Sequence, residues 1–89
     1  MPDAAAYRFG AMQTFFVEIK CRLGKTYEVA GRLADAEIAS EIYSTAGDWD
    51  ILAKFHVEDG VDIGHFVGER VQTLPDIVNT RTILTFKAF

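Results

Sequence analysis

Ala46-Gly47-Asp48-Trp49-Asp50-Ile51-Leu52 lies at the middle of an 89-residue chain, and the two halves of the fold are arranged about it. Residues 38–45 before it and 51–57 after it are rich in β-branched and aromatic side chains, so Gly47-Asp48 reads as a tight two-residue hairpin turn. Glycine first in such a loop suits a type II′ turn, whose first position needs a positive φ. The turn divides the chain into two similar halves, each with strand-like alternation and one amphipathic helix pattern. It also carries the chain's one tryptophan and two carboxylates, which makes it the first place to look for a site.

Outward on the N-terminal side, residues 12–21 alternate as a strand with two unlike faces. Phe15, Val17, Ile19 and Cys21 point to a dry side, and Phe16, Glu18 and Lys20 to a mixed one. Gly24-Lys25-Thr26 ends that strand and opens a helix over residues 26–36, with Thr26, Val29, Ala30 and Leu33 at helical spacing and Thr26 also a candidate cap. Gly31 weakens this short helix, so packing on a sheet must hold it. The strand after the hairpin, residues 50–57, repeats the two faces: Ile51, Ala53, Phe55 and Val57 are dry, and Leu52, Lys54 and His56 are mixed.

Glu58-Asp59-Gly60 leads to a second helix with Asp59 or Asp62 as cap. Ile63, Phe66, Val67, Val71 and Leu74 form its apolar stripe, and Arg70 snorkels from the edge of the same sector. Gly64 and Gly68 beside the stripe suggest a close neighbour. Pro75 ends the helix, and residues 77–89 read as the last strand. The order strand-helix-strand-strand-helix-strand predicts an α+β, ferredoxin-like βαββαβ plan, with two helices on the dry face of a four-stranded antiparallel sheet. The mixed face, with Phe16, Leu52 and Ile83 among charges and continued by Glu41, Tyr43, Thr85 and Lys87, is too apolar for plain surface. Its expected destination is the sheet of a second subunit.

Composition narrows the function classes. Nine basic and thirteen acidic side chains give −4 with no basic block, which argues against direct nucleic-acid binding. No apolar run is long enough to span a membrane. Cys21, a single cysteine, fits a reducing, cytoplasmic setting and reads as a core residue rather than a reactive thiol. Residues 1–11 lack strand or helix periodicity and a signal-peptide pattern, and read as a disordered extension ahead of a domain over residues 12–89, with Met1 and Met12 both open as the natural start. Nothing calls for a cofactor or a metal; His56 and His65 lack metal-ligand spacing.

Gly47-Asp48-Trp49-Asp50-Ile51-Leu52, then Phe66-Val67, Leu74-Pro75, Ile77-Val78 and Thr80-Arg81-Thr82, together resemble the effector-binding domain of the leucine-responsive/AsnC (Lrp/AsnC) transcription regulators, the domain named for regulation of amino acid metabolism. The resemblance covers residues 12–89. It departs from the usual pattern at Trp49, where tyrosine is usual, and at Asp76, where glycine is common. Eleven residues cannot hold the helix-turn-helix domain that precedes this module in regulators, so the chain looks like a stand-alone form.

The resemblance implies a dimer built sheet to sheet, assembled further into octamers or other rings of dimers, with amino acids or related small molecules bound where dimers meet. Carried over by position, Gly47, Asp48, Trp49 and Asp50 form one wall of that site, and Thr80, Arg81 and Thr82 from another subunit contribute the other. Turn N–H groups and threonine hydroxyls suit a carboxylate, and a carboxylate suits an ammonium. Each residue also has a plainer role: Gly47 serves the turn, Asp50 its amides, Trp49 an interface, the threonines strand propensity, and Arg81 a solvated charge. The expected function is a non-catalytic, self-associating amino acid sensor acting through protein contacts, including those with a full-length regulator. The alternatives are a ligand-free oligomerisation module, or a small dimeric α/β-barrel enzyme of monooxygenase or isomerase type using His56, His65, Tyr43 and Glu18.

Overall fold

The computed structural model describes residues 11–89. Its elements run β1 Met12–Cys21, α1 Thr26–Asp35, β2 Glu41–Ser44, β3 Ile51–Glu58, α2 Ile63–Phe66 continuing as a π-helical turn Val67–Val71, and β4 Ile77–Leu84. They form one four-stranded sheet in the order β2-β3-β1-β4, with β1 antiparallel to both β3 and β4. This is the expected βαββαβ plan. The reading of residues 1–10 as an extension falls outside the described residues; Ala11 is tied in, its carbonyl accepting the Asp59 N–H at 3.2 Å.

The dry face is the core. Phe15, Val17, Ile19, Ile51, Ala53 and Phe55 are fully buried, together with Val29 and Leu33 of α1 and Val71 of the π turn. Phe15 and Phe55, partners in register, stack at 5.1 Å between ring centroids, and Phe66 meets both edge-on at 6.0 and 5.8 Å. Three rings locked in this way fix where α2 sits on the sheet.

Several boundaries differ from the sequence expectations, each for a local reason. The hairpin is centred on Gly47-Asp48, and Gly47 has the positive φ of +94° that a glycine accommodates. The backbone ladder, however, ends at Thr45 N–H to the Asp50 carbonyl (3.0 Å), which leaves a four-residue loop over 46–49 instead of a two-residue turn. Thr45 Oγ1 donates to the Trp49 carbonyl across that loop at 2.8 Å. Strand β2 is shorter than residues 38–45, because Glu37 exits α1 at φ +56° and residues 38–40 are spent returning to the sheet.

Thr26 begins α1 but does not cap it: the cap position is Lys25, with no side-chain cap bond. At α2 the cap is Asp62, whose Oδ1 accepts the His65 N–H at 3.0 Å. The second helix is not a continuous α-helix to residue 74. Gln72 N–H bonds to the Val67 carbonyl, a five-residue step, and Val67 and Val71 are both buried against the sheet. Gly64 and Gly68 do not receive a close neighbour: a Cβ there would meet only Asp62 Oδ1 at 3.5 Å and Gln72 Oε1 at 3.9 Å. Strand β4 ends at Leu84 rather than 89, and Phe86 and Phe89 beyond it are fully exposed.

Candidate functional site

The sheet's second face is left open by the helices, and the register assembles it row by row. Phe16 lies between Lys54 and Ile83, and Glu18 between Leu52 and Arg81, with Glu41 opposite Lys54 and Tyr43 opposite Leu52 on β2. Phe16 and Leu52 are half-buried with no helix of the described residues over them, and Ile83 is 37 % exposed. An apolar strip thus runs between two ion pairs, Arg81 with Glu18 (Nε to Oε1 2.7 Å) and Lys54 with Glu41 (3.3 Å). Tyr43 OH also donates to the Glu41 carboxylate. That bond first, and then Lys54, hold the Glu41 carboxyl below the usual glutamate range.

At one end of this face stands the hairpin loop. Trp49 is half-buried, and the Arg81 guanidinium lies over its ring, 5.8 Å from the centroid. The geometry therefore brings together two of the residues expected in the site, one from the hairpin and one from β4. Gly47 and Asp48 lie at the exposed loop tip. Asp50 turns the other way in its bonding: Oδ2 accepts the Cys21 N–H at 2.8 Å, and its own N–H donates to the Ile19 carbonyl at 2.9 Å. This carboxylate clamps the end of β1 to the loop.

Thr80 and Thr82 do not share a side with Arg81. They pair with Ile19 and Val17 and so face the helices, and Gln72 Nε2 donates to Thr80 Oγ1 at 2.8 Å. Within one copy, the expected second wall is split between the two faces of β4. Beside Asp50 lies a hollow of about 390 Å³ lined by Lys20, Cys21, Leu23, Thr26 and Val78. Burial, and then the Asp50 charge, push the Cys21 thiol up, which suits a packed core residue and not a nucleophile.

Glu18 was expected on the mixed face and in the enzyme alternative, but not among the residues of the effector site. Its signal was its place in the alternation, on the mixed face, but its partner depended on a register set across 63 residues of chain. Asp76, noted only as a departure, sits at φ +69°, a region glycine enters without strain, and is held by Arg32 at 3.1 Å and Arg22 at 3.8 Å. The histidines of the enzyme alternative are otherwise engaged. His56 Nδ1 lies 2.9 Å from Thr14 Oγ1, and exposed His65 stands 3.6 Å from Glu69. Among the described residues, no group of three His, Cys, Asp or Glu could hold a metal, and no helix is long and apolar enough to cross a membrane.

A ferredoxin-like sheet with helices on one side, a half-apolar face on the other and a Trp-bearing hairpin at its end is an α+β class of domain that hosts both enzymes and ligand-binding modules, so the role is decided by the family. Residues 14–89 match the family described as Lrp/AsnC ligand binding domain, and the chain belongs to that family. The HTH-type transcriptional regulator FL11 of Pyrococcus abyssi is 30 % identical over 86 residues, covering 97 % of this chain and 54 % of its own length. The chain thus spans about half the length of the curated relatives it matches. The crystal structure of TTHA0845 from Thermus thermophilus superposes with TM-score 0.78 at 26 % identity, over 86 % of this chain and 96 % of that one. E. coli AsnC shares the fold at TM-score 0.80 and 19 % identity, over 99 % of this chain and 60 % of that one. The relatives are named as transcriptional regulators, and the domain is a regulatory ligand-binding domain, not a catalytic one.

Proposed function

We propose that this domain pairs with a second copy through its open sheet face and binds an amino acid or related small molecule between assembled copies, in the service of transcription regulation. The observation that carries the reading is the open face. Its apolar strip of Phe16, Leu52 and Ile83 is flanked by charges that are already paired within the chain. Covering the strip removes hydrocarbon from water while the Arg81–Glu18 and Lys54–Glu41 pairs beside it keep their own partners, which lowers the cost of burying those charges. Membership in a ligand-binding family supports the effector, and a Neisseria meningitidis regulator of this fold was solved in complex with L-methionine. The Gly47-Asp48-Trp49-Asp50 loop and the 80–82 segment of β4 supply the walls. Since Arg81 and the threonines of one copy face opposite ways, a wall using both takes them from different copies. With a net charge of −4 and no basic block, the chain acts through protein contacts, a full-length regulator of the same family being the natural partner, in the cytoplasm.

Trp49 is the sole tryptophan, so its emission reports on the loop directly. Titration with the twenty amino acids, with melting followed on the same samples, tests the reading. A saturable change for a few related amino acids, with stabilisation of about 2.7 kcal/mol at a hundredfold excess over Kd, is the expected result. A flat response across all twenty removes the amino acid effector and leaves the assembly role alone.

A further inference from the structure

Arg81 reaches farther than a surface arginine needs to. It stands on β4 at one edge of the sheet, and its side chain crosses the open side of β1 to lie over Trp49, in the loop that joins β2 to β3. Glu18, on β1 between them, receives its Nε at 2.7 Å and aims the guanidinium. The Glu18 side chain is only 20 % exposed, whereas that of Arg81 is 61 % exposed. The carboxylate is thus the sheltered partner of the pair and the arginine the solvent-facing one.

We propose that Glu18 and Arg81 form a strap that couples the hairpin loop to the open sheet face, so that pairing of two copies and the posture of Trp49 change together. Glu18 and Arg81 are positioning residues in this arrangement, and the proposal rests on the sheet-to-sheet pairing proposed above. When a second copy covers the strap, water leaves the ion pair and the attraction strengthens, so the fork tightens on Glu18 and the guanidinium is held on the indole. In the other direction, anything at the loop that draws Arg81 off Glu18 strands a carboxylate in a covered face and loosens the pair of copies. The two effects are equal by linkage.

Three variants test this: Glu18→Gln, Arg81→Met, and the two combined. All lie outside the buried core, and melting curves check that each folds. Sedimentation equilibrium measures pairing, while Trp49 emission and its quenching by acrylamide are followed on dilution through the dimer-to-monomer transition. In the unaltered chain Trp49 should become more open to quencher as dimers separate. Each single variant should weaken pairing by roughly 30-fold or more, because one charge is left unpaired in a covered face. The double variant has neither charge and should pair within about tenfold of the unaltered chain. Its Trp49 signal should nevertheless stay constant through the transition, a result that loss of packing alone does not produce.

A Trp49 change on dilution that persists in the double variant shows that the indole meets the second copy unaided, and overturns the strap. Single variants that pair as the unaltered chain does overturn it as well. A chain that is single at every concentration removes the pairing reading too, whereas normal pairing with a Trp49 that ignores Arg81→Met sinks the strap alone.

Discussion

Asp50 has one observed role, as the acceptor of the Cys21 N–H, and one proposed role, toward the effector, and substitution can separate them. Asp50→Ala takes the acceptor from the part-buried Cys21 N–H and should cost about 1–3 kcal/mol in urea unfolding, whereas Asp50→Asn keeps an oxygen in place and should retain most of that. Equal effector affinity in Asp50→Asn and the unaltered chain would reduce the residue to a clamp. A carboxylate at a turn was readable from the sequence; its acceptor role toward Cys21 was not, because the two meet only when β1 is docked beside the loop, 29 residues away. Glu41 offers a second measurement. Its pKa is lowered on folding, so its bonds add stability above the unfolded value, and that contribution is lost as pH falls through the folded one. Tyr43 is raised by the same bond, so its contribution is present below its unfolded value and fades as pH rises through the raised one. Tyr43→Phe should move the Glu41 carboxyl titration, read by NMR, back up toward the ordinary range.

At the scale of elements, periodicity carried the reading as far as side-chain spacing alone can. The limits of β1 and the dry and mixed faces of β1 and β3 follow from alternation, and they are the faces observed. What periodicity could not reveal is where hydrogen bonding stops. A stripe at 63, 66, 67, 71 and 74 fits an α-helix as well as one interrupted by a π turn, since both place Val67 and Val71 inward. Apolar character to residue 89 likewise looked like strand, although the pairing of β4 with β1 ends at Leu84 opposite Phe15. Gly31 in α1 invites a direct test, because a Cβ there would meet nothing within 4 Å. Gly31→Ala should stabilise the domain by about 0.8 kcal/mol, or roughly 3–6 °C in Tm, by helix propensity alone.

For the whole molecule, the question is which surface another copy meets. Ile83→Glu puts a carboxylate in the apolar strip without touching the core, so the variant should fold normally yet pair on the order of a hundredfold more weakly by sedimentation. Normal pairing would move the interface elsewhere. The existence of that face was legible in the alternation of β1 and β3; the strap that crosses it was not, since it joins residues near opposite ends of the chain. Of the four strands β1 is made first and takes a central place in the sheet, but one of its two neighbours is β4, the last of the four. At ordinary elongation rates of about 5–20 residues per second, Phe15, Val17 and Ile19 wait for seconds with one flank unzipped before Leu84 clears the ribosome. A ribosome stalled before residue 77 should therefore carry a nascent chain that proteases and chaperones still recognise as unfinished.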